Sequence, residues 1–197
     1  MNKQLIKESK FDTIVRSLVK DVISIFKFQR EGEFGLPEDL YSEELVYKFP
    51  NLDTEFSIFL DLKLDENVLT VDVDADYYNQ DDMIYLIIKS NPKAKNEILQ
   101  ELTGELNEIL RHELEHIKQH EEGFIFPKEP KNPQDYYTQK HEIEAQRKGF
   151  QRRAKQEKKD FESLVKDWFK KNKHKHNLTP DQIEFVIGKI VSDPNQF

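Results

Sequence analysis

Cysteine is absent from this chain of 197 residues. That excludes disulfide scaffolds, thiolate zinc fingers, iron–sulfur clusters and cysteine nucleophiles. Apolar runs long enough to span a bilayer are missing too. The first ten residues, MNKQLIKESK, hold no apolar stretch of the kind that opens a secretory leader. A cytoplasmic protein without membrane partners is therefore expected. No glycine-rich phosphate loop occurs anywhere, so nucleotide chemistry has no foothold.

What remains is polar but able to fold. Hydrophobic residues make up 37% and charged residues 35%, yet 14 Phe, 7 Tyr and 1 Trp supply enough large apolar surface for a core. The net charge of −8 is unevenly spread: the segment from Arg147 to Lys175 carries +8 and the remainder −16. Opposed blocks of this kind usually lie on different faces or against each other.

Hydrophobic periodicity divides the chain. Ile14, Leu18, Val22, Ile25 and Phe26 predict an amphipathic helix over 11–30. The stretch 31–51 holds two Gly and two Pro and reads as irregular, with a short turn at 42–46. Alternation of Phe56, Ile58, Leu60, Leu62 and Leu64, then of Leu69, Val71, Val73 and Ala75, predicts two half-buried strands joined as a β-hairpin. Met83–Ile88 reads as a third strand, placed at an edge where an extended peptide could add to it. Ile98, Leu102, Leu106, Ile109 and Leu110 predict a long helix to about His120. A proline-rich loop follows, then a second long helix from about Thr138 that carries Phe150, Phe161, Leu164 and Trp168. A last helix starts after Thr179-Pro180, a capping residue followed by proline at the first helical position. Strands followed by helices without βαβ alternation predict an α+β fold.

The chemistry concentrates in His112-Glu113-Leu114-Glu115-His116, an H-E-x-x-H sequence inside the first long helix. Residues four apart share a helical face, so both imidazoles can reach one Zn²⁺ at about 2.0–2.1 Å. Glu113, one step round, can reach a water beside the ion and act as general base. A catalytic zinc normally takes a third protein ligand. His120 lies about 12 Å further along the axis and cannot share the ion while the helix stays regular. The metzincin pattern fails, since Gln119 and Glu122 stand where Gly and His are needed. On the next helix Glu142, Ala145 and Gly149 share a face, and the two small residues allow a close approach. That ranks Glu142 first as third ligand, Glu144 second and His141 third.

H-E-x-x-H followed by E-x-x-A on the next helix resembles the gluzincin branch of zinc metallopeptidases. The spacing from His116 to Glu142 and the wording Glu142-Ile143-Glu144-Ala145 are similar to ImmA/IrrE-type proteases. With Tyr136-Tyr137 ahead of that helix, they also resemble small metallopeptidase-like proteins encoded by tailed phages. The resemblance covers about 99–150. It implies a zincin-like fold over 1–170, with a small antiparallel or mixed sheet packed on the H-E-x-x-H helix. Residues 171–197 would then be a C-terminal helical extension of the same domain. It further implies zinc-dependent hydrolysis of a protein or peptide substrate, in the host cytoplasm if the gene belongs to a phage. One departure stands out: many gluzincins carry Asp or Asn four residues after the ligand Glu, where this chain has Gln146.

Hydrolysis also requires an oxyanion donor. Tyr136, Tyr137, His120 and His141 are the nearby candidates, and Tyr137 is the first choice because its loop can fold over the site. Asp72, Asp74 and Asp76 imitate a calcium loop but lack its Gly and final Glu, and read as the solvated face of a strand. The basic helix 147–175 reads as a solvated face, so no nucleic-acid partner is expected. The alternative function is a non-enzymatic nucleic-acid- or protein-binding module using that basic helix, with any metal structural.

Overall fold

The first helix, α1 (Lys10–Glu31), forms where the periodicity predicts, and Val15, Leu18, Val19, Val22 and Phe26 turn one buried stripe inward. The structure is a computed structural model in which residues 10–31, 41–48, 55–94, 98–127, 130 and 132–192 are described. Its architecture is α+β.

Four strands follow α1: β1 (Tyr41–Lys48), β2 (Glu55–Leu64), β3 (Val71–Tyr78) and β4 (Met83–Ser90). They form one sheet in the order β1-β2-β4-β3. β1 runs antiparallel to β2, β2 parallel to β4, and β4 antiparallel to β3. Two expectations need correction. Residues 41–48 form an edge strand instead of a short turn; the rest of the stretch read as irregular, apart from its start at Glu31 in α1, lies outside the described residues. β2 and β3 are not a hairpin, because β4 sits between them.

The cause is apolarity. Met83-Ile84-Tyr85-Leu86-Ile87-Ile88 is the most apolar strand, with alternate residues Ile84, Leu86 and Ile88 fully buried, so it gains most from two neighbours. The loop 65–70 then has to cross β4. Asn91 fastens it there: its N–H donates to the Thr70 carbonyl at 2.9 Å and its Nδ2 to the Val68 carbonyl at 2.7 Å. Met83–Ile88 is therefore an interior strand, and the edge on its side of the sheet belongs to β3.

Six helical segments follow the strands in the described chain: α2 (Ile98–Glu121), α3 (Pro133–Tyr137), α4 (Lys140–Glu157), α5 (Phe161–Lys171), α6 (Lys173–His176) and α7 (Pro180–Val191). The second long helix ends earlier than expected. Lys158 takes the left-handed conformation (φ 55°), and Asp160 caps α5 by accepting from the Ser163 N–H at 2.9 Å. α7 starts where expected, with Thr179 and Gln182 exchanging hydrogen bonds in a capping box.

Two apolar cores result. One joins α1, α2 and the inner face of the sheet; the other joins Phe150 and Ala154 of α4 with Leu164, Val165 and Phe169 of α5 and Val186, Ile187 and Ile190 of α7. The C-terminal helices thus take their packing partners from residues 150–169. Between the cores, α4 crosses α2 closely. A Cβ on Gly149 would meet the Glu108 carbonyl oxygen at 2.6 Å, and Ala145 is fully buried.

The basic segment is not wholly solvated. Arg147 donates to the Lys189, Ile190 and Ser192 carbonyls at the end of α7, at 3.0, 2.8 and 2.8 Å. Arg152 donates to Asn107 Oδ1 at 3.0 Å, and Arg153 to Glu108 at 2.7 Å. These arginines tie the positive segment to the negative remainder of the chain.

Gly149→Ala should force α2 and α4 apart, because the obstacle is backbone and cannot rotate away. A loss of about 1–3 kcal/mol is expected in urea unfolding, as for other overpacked cores.

Candidate metal centre

On α2 the regular helix puts His112 and His116 one turn apart, and their rings meet edge to face with Nε2 atoms 3.0 Å apart. α4 brings Glu142 against both. Its Oε2 lies 3.6 Å from His112 Nε2 and its Oε1 3.4 Å from His116 Nε2. A tetrahedral site with bonds of about 2.0–2.1 Å has ligand–ligand edges of roughly 3.3 Å, so these three donors have the spacing of one face of such a site. Glu142 Oε2 is buried and lacks a hydrogen-bond partner among the described residues. A buried carboxylate oxygen left in that condition is costly unless something cationic meets it. The donor set therefore fits a divalent metal of the zinc type.

Glu113 lies beside this face. Its carboxylate, with the two imidazoles, forms a group whose donor atoms all lie within 4.8 Å, and its Oε1 is 3.8 Å from His112 Nε2. Of the two carboxylates, Glu142 is the closer to both rings. Burial pushes the Glu113 carboxyl up to about 8; the His116 charge and a hydrogen bond from the Tyr77 N–H oppose this, while the charges of Glu142 and Asp76 add to it. Burial, with the neighbouring His116 charge, lowers His112. For His116 burial is outweighed by its hydrogen bond to Glu142 and the charges of Glu113 and Glu142, and it is raised. Glu142 is held well below the carboxylate range, its burial overcome by hydrogen bonds from His116 and His141 and by the charges of His112 and His116.

Support for His116 comes from a residue the sequence reading had not singled out for it. Gln119 Oε1 lies 2.9 Å from His116 Nδ1, and Gln119 Nε2 donates to the His141 carbonyl at 3.2 Å. The second bond fixes which end of the amide faces the ring. His116 then carries a proton on Nδ1 and turns Nε2 toward Glu142 and His112; a bound metal would take the place of the Nε2 proton there. The i, i+3 spacing of His116 and Gln119 is the signal that could have revealed this. Gln146 does not take that role: its Oε1 is buried and has no partner among the described residues.

The other candidates separate clearly. Glu144 is half-buried on another face of α4 and does not line the cleft at the imidazoles. His141 Nε2 is 3.3 Å from Glu142 Oε1, beside the site. His120 is turned away, 2.9 Å from the Tyr77 hydroxyl, which donates to Asp82 at 2.8 Å. Tyr137 lines the cleft, but its ring packs on Phe169 and His176 at 5.9 and 6.4 Å. Tyr136 shares that wall; burial and then the charges of Glu142 and Glu113 raise its hydroxyl, so it is the tyrosine that feels both carboxylates. Phe126, also unforeseen, stacks edge-on against His116 at 5.5 Å and His141 at 5.4 Å.

All of this opens into one cleft of about 880 Å³, bounded by β3, α2, α4 and the α5–α6 unit. Thr70 pairs with Asn91 across the β3–β4 ladder, so Val71, Val73, Ala75 and Tyr77 turn their backbone groups to the free edge. Two are occupied: Lys175 donates to the Val73 carbonyl at 2.6 Å, and the Tyr77 N–H serves Glu113. Lys175 also pairs with Asp72 at 2.6 Å. Asp74 and Asp76 are exposed on the outer face, as expected of a solvated strand.

No protein-family model matches the chain, and no curated protein and no solved structure matches it. Among the described residues no helix is long and apolar enough to cross a membrane.

Gln119→Leu keeps the volume and removes the acceptor for His116. Affinity for a divalent metal at this site should fall by about 10–100-fold, as measured by competition with a chromophoric chelator.

Proposed function

We propose that this chain is a zinc-dependent peptidase of zincin type, in which His112, His116 and Glu142 hold the ion and Glu113 is the general base. The observation that carries the reading is the meeting of Glu142 with both imidazoles, 3.4 and 3.6 Å away, across two helices. The H-E-x-x-H spacing brings two ligands from one helix; a third from a separate element, with an unsatisfied buried oxygen, is the arrangement of a metal centre more than of a solvated helix face.

Zinc at this position would supply Lewis acidity toward water and the scissile carbonyl. The chain's own residues do the rest. Glu113 accepts a proton from the attacking water as the C–O bond forms, and delivers it to the amine nitrogen as the C–N bond breaks. Its raised affinity for protons, with the Tyr77 N–H aiming its carboxylate, suits both halves of that cycle. Tyr136, whose hydroxyl feels the charges of both Glu142 and Glu113, or Tyr137 beside it donates toward the developing oxyanion. Phe126 excludes water from the far side of the imidazoles.

The free edge of β3, in place of Met83–Ile88, receives an extended peptide by strand addition. Ala75 is the contact point, between the Lys175 bond at Val73 and the Glu113 bond at Tyr77. A protein or peptide in the cytoplasm is the substrate class this reading favours. The rival reading, a binding module built on the basic helix, loses support because Arg147, Arg152 and Arg153 are engaged within the chain.

Two measurements test the proposal. Glu142→Ala should abolish stoichiometric zinc in metal analysis, whereas Glu144→Ala should retain it; the reverse result assigns the wrong carboxylate. Glu113→Gln should keep zinc and fold but cleave a broad peptide library at least about 10²-fold more slowly. Unchanged cleavage by the zinc-loaded variant removes Glu113 from the mechanism.

A further inference from the structure

From the imidazoles the cleft continues back along α2, where Glu108, Ile109 and Glu105 lie one and two turns before His112 on the same side. The opposite wall of this recess is Gly149 and Phe150 of α4 and Trp168 of α5. Gly149 matters again here, since any side chain would fill the space beside Glu108.

The acids around the recess are not equally served. Arg153 sits between Glu108 and Glu157, 2.7 Å from each, and Lys175 is held by Asp72. Lys171 bonds Glu101. Glu105 is only 9% exposed, yet its nearest ion-pair partner is that same Lys171, at 3.8 Å. Nearer the imidazoles, Gln146 lines the cleft and offers a second acceptor: its Oε1 is buried and has no partner among the described residues. Burial pushes the Glu105 carboxyl up to about 7, although the charges of Lys175 and Arg153 oppose it.

A buried carboxylate and an orphan amide oxygen, set between an aliphatic and an aromatic wall, demand a ligand with a long apolar stem and a cationic, multiply donating head. We propose that this recess is a specificity pocket for an arginine or lysine side chain of the peptide, with Glu105 pairing the charged head and Gln146 accepting from it. This rests on the peptidase reading, which supplies the peptide and places its scissile bond at His112 and His116. The distance is suitable: Glu105 lies two turns from His112, about 10 Å along the axis, within reach of an extended basic side chain whose backbone lies over the metal centre. Ile109, Phe150 and Trp168 contact the methylene stem, and Trp168 is placed for a cation–π contact with the head.

The single Trp of the chain makes the pocket directly observable. Blocked argininamide, lysinamide, norleucinamide and glutamamide are titrated into the full-length protein, with Trp168 emission as readout and no catalysis required. The arginine and lysine derivatives should bind at least tenfold more tightly than norleucine, and Glu105→Gln should erase that ratio. Equal binding of all four, or a preference that persists in Glu105→Gln, overturns the proposal. Should Glu105→Gln not fold, Gln146→Leu carries the test: it should weaken the arginine derivative selectively, and an unchanged arginine-to-norleucine ratio overturns the proposal. Cleavage of the peptide library separates the two readings. Basic derivatives that bind as expected to a protein that cleaves nothing would remove the peptidase and leave the pocket. Cleavage with no preference for Arg or Lys beside the cut would remove the pocket and leave the peptidase.

Discussion

Everything at the centre depends on how closely two helices cross. α2 carries the imidazoles and α4 carries the carboxylate, and neither can complete the site alone. The crossing is close because Ala145 and Gly149 present almost no side chain, and at Gly149 the neighbouring helix backbone occupies the place of a Cβ. Glu142 lies one turn of α4 from Ala145 and two from Gly149, so the packing contact and the carboxylate that meets the imidazoles are set by the same stretch of helix. The two apolar cores on either side hold the helices in that crossing. Polar bonds across it, from Arg152 to Asn107 and from Arg153 to Glu108, fix its register.

The electrostatics of the site oppose its own burial. Glu113, Glu142 and the imidazoles are removed from water, which penalises every charged form among them. The chain meets this partly with its own groups: His116 and His141 hold Glu142 ionised, Gln119 orients His116, and a backbone N–H serves Glu113. One oxygen of Glu142 is left over. In the proposed holoprotein that remainder is what the metal satisfies, so metal affinity and fold stability are coupled.

The legibility of the molecule follows the range of its interactions. The helical stripes, the H-E-x-x-H face and the capping box at Thr179 depend on residues within one turn, and their spacing carries them. Glu142 was legible one step further out, because small residues at 145 and 149 mark a close helix approach. Strand order was not. It depends on which of three apolar strands profits most from two neighbours, and alternation alone looks the same in a hairpin and in a crossed connection; β4 therefore moved from edge to interior. The break at Lys158 was hidden because an ordinary lysine adopts the left-handed conformation there. The Tyr77 N–H was beyond reach for a different reason: a backbone donor leaves no signature in residue type.

The edge of β3 has a consequence for the protein in a crowded cell. An open strand edge is a template on which another copy can grow a sheet, and β3 is long enough to invite it. Here the lysine ammonium of Lys175 occupies one position of that edge and the carboxylate of Glu113 another, and Asp72, Asp74 and Asp76 place charge on its outer face. An arriving strand of the same sequence would bring its own three aspartates alongside these and would have to displace both bonds. In the proposed peptidase the stretch at Ala75, between those two bonds, is what remains of the edge for a substrate strand.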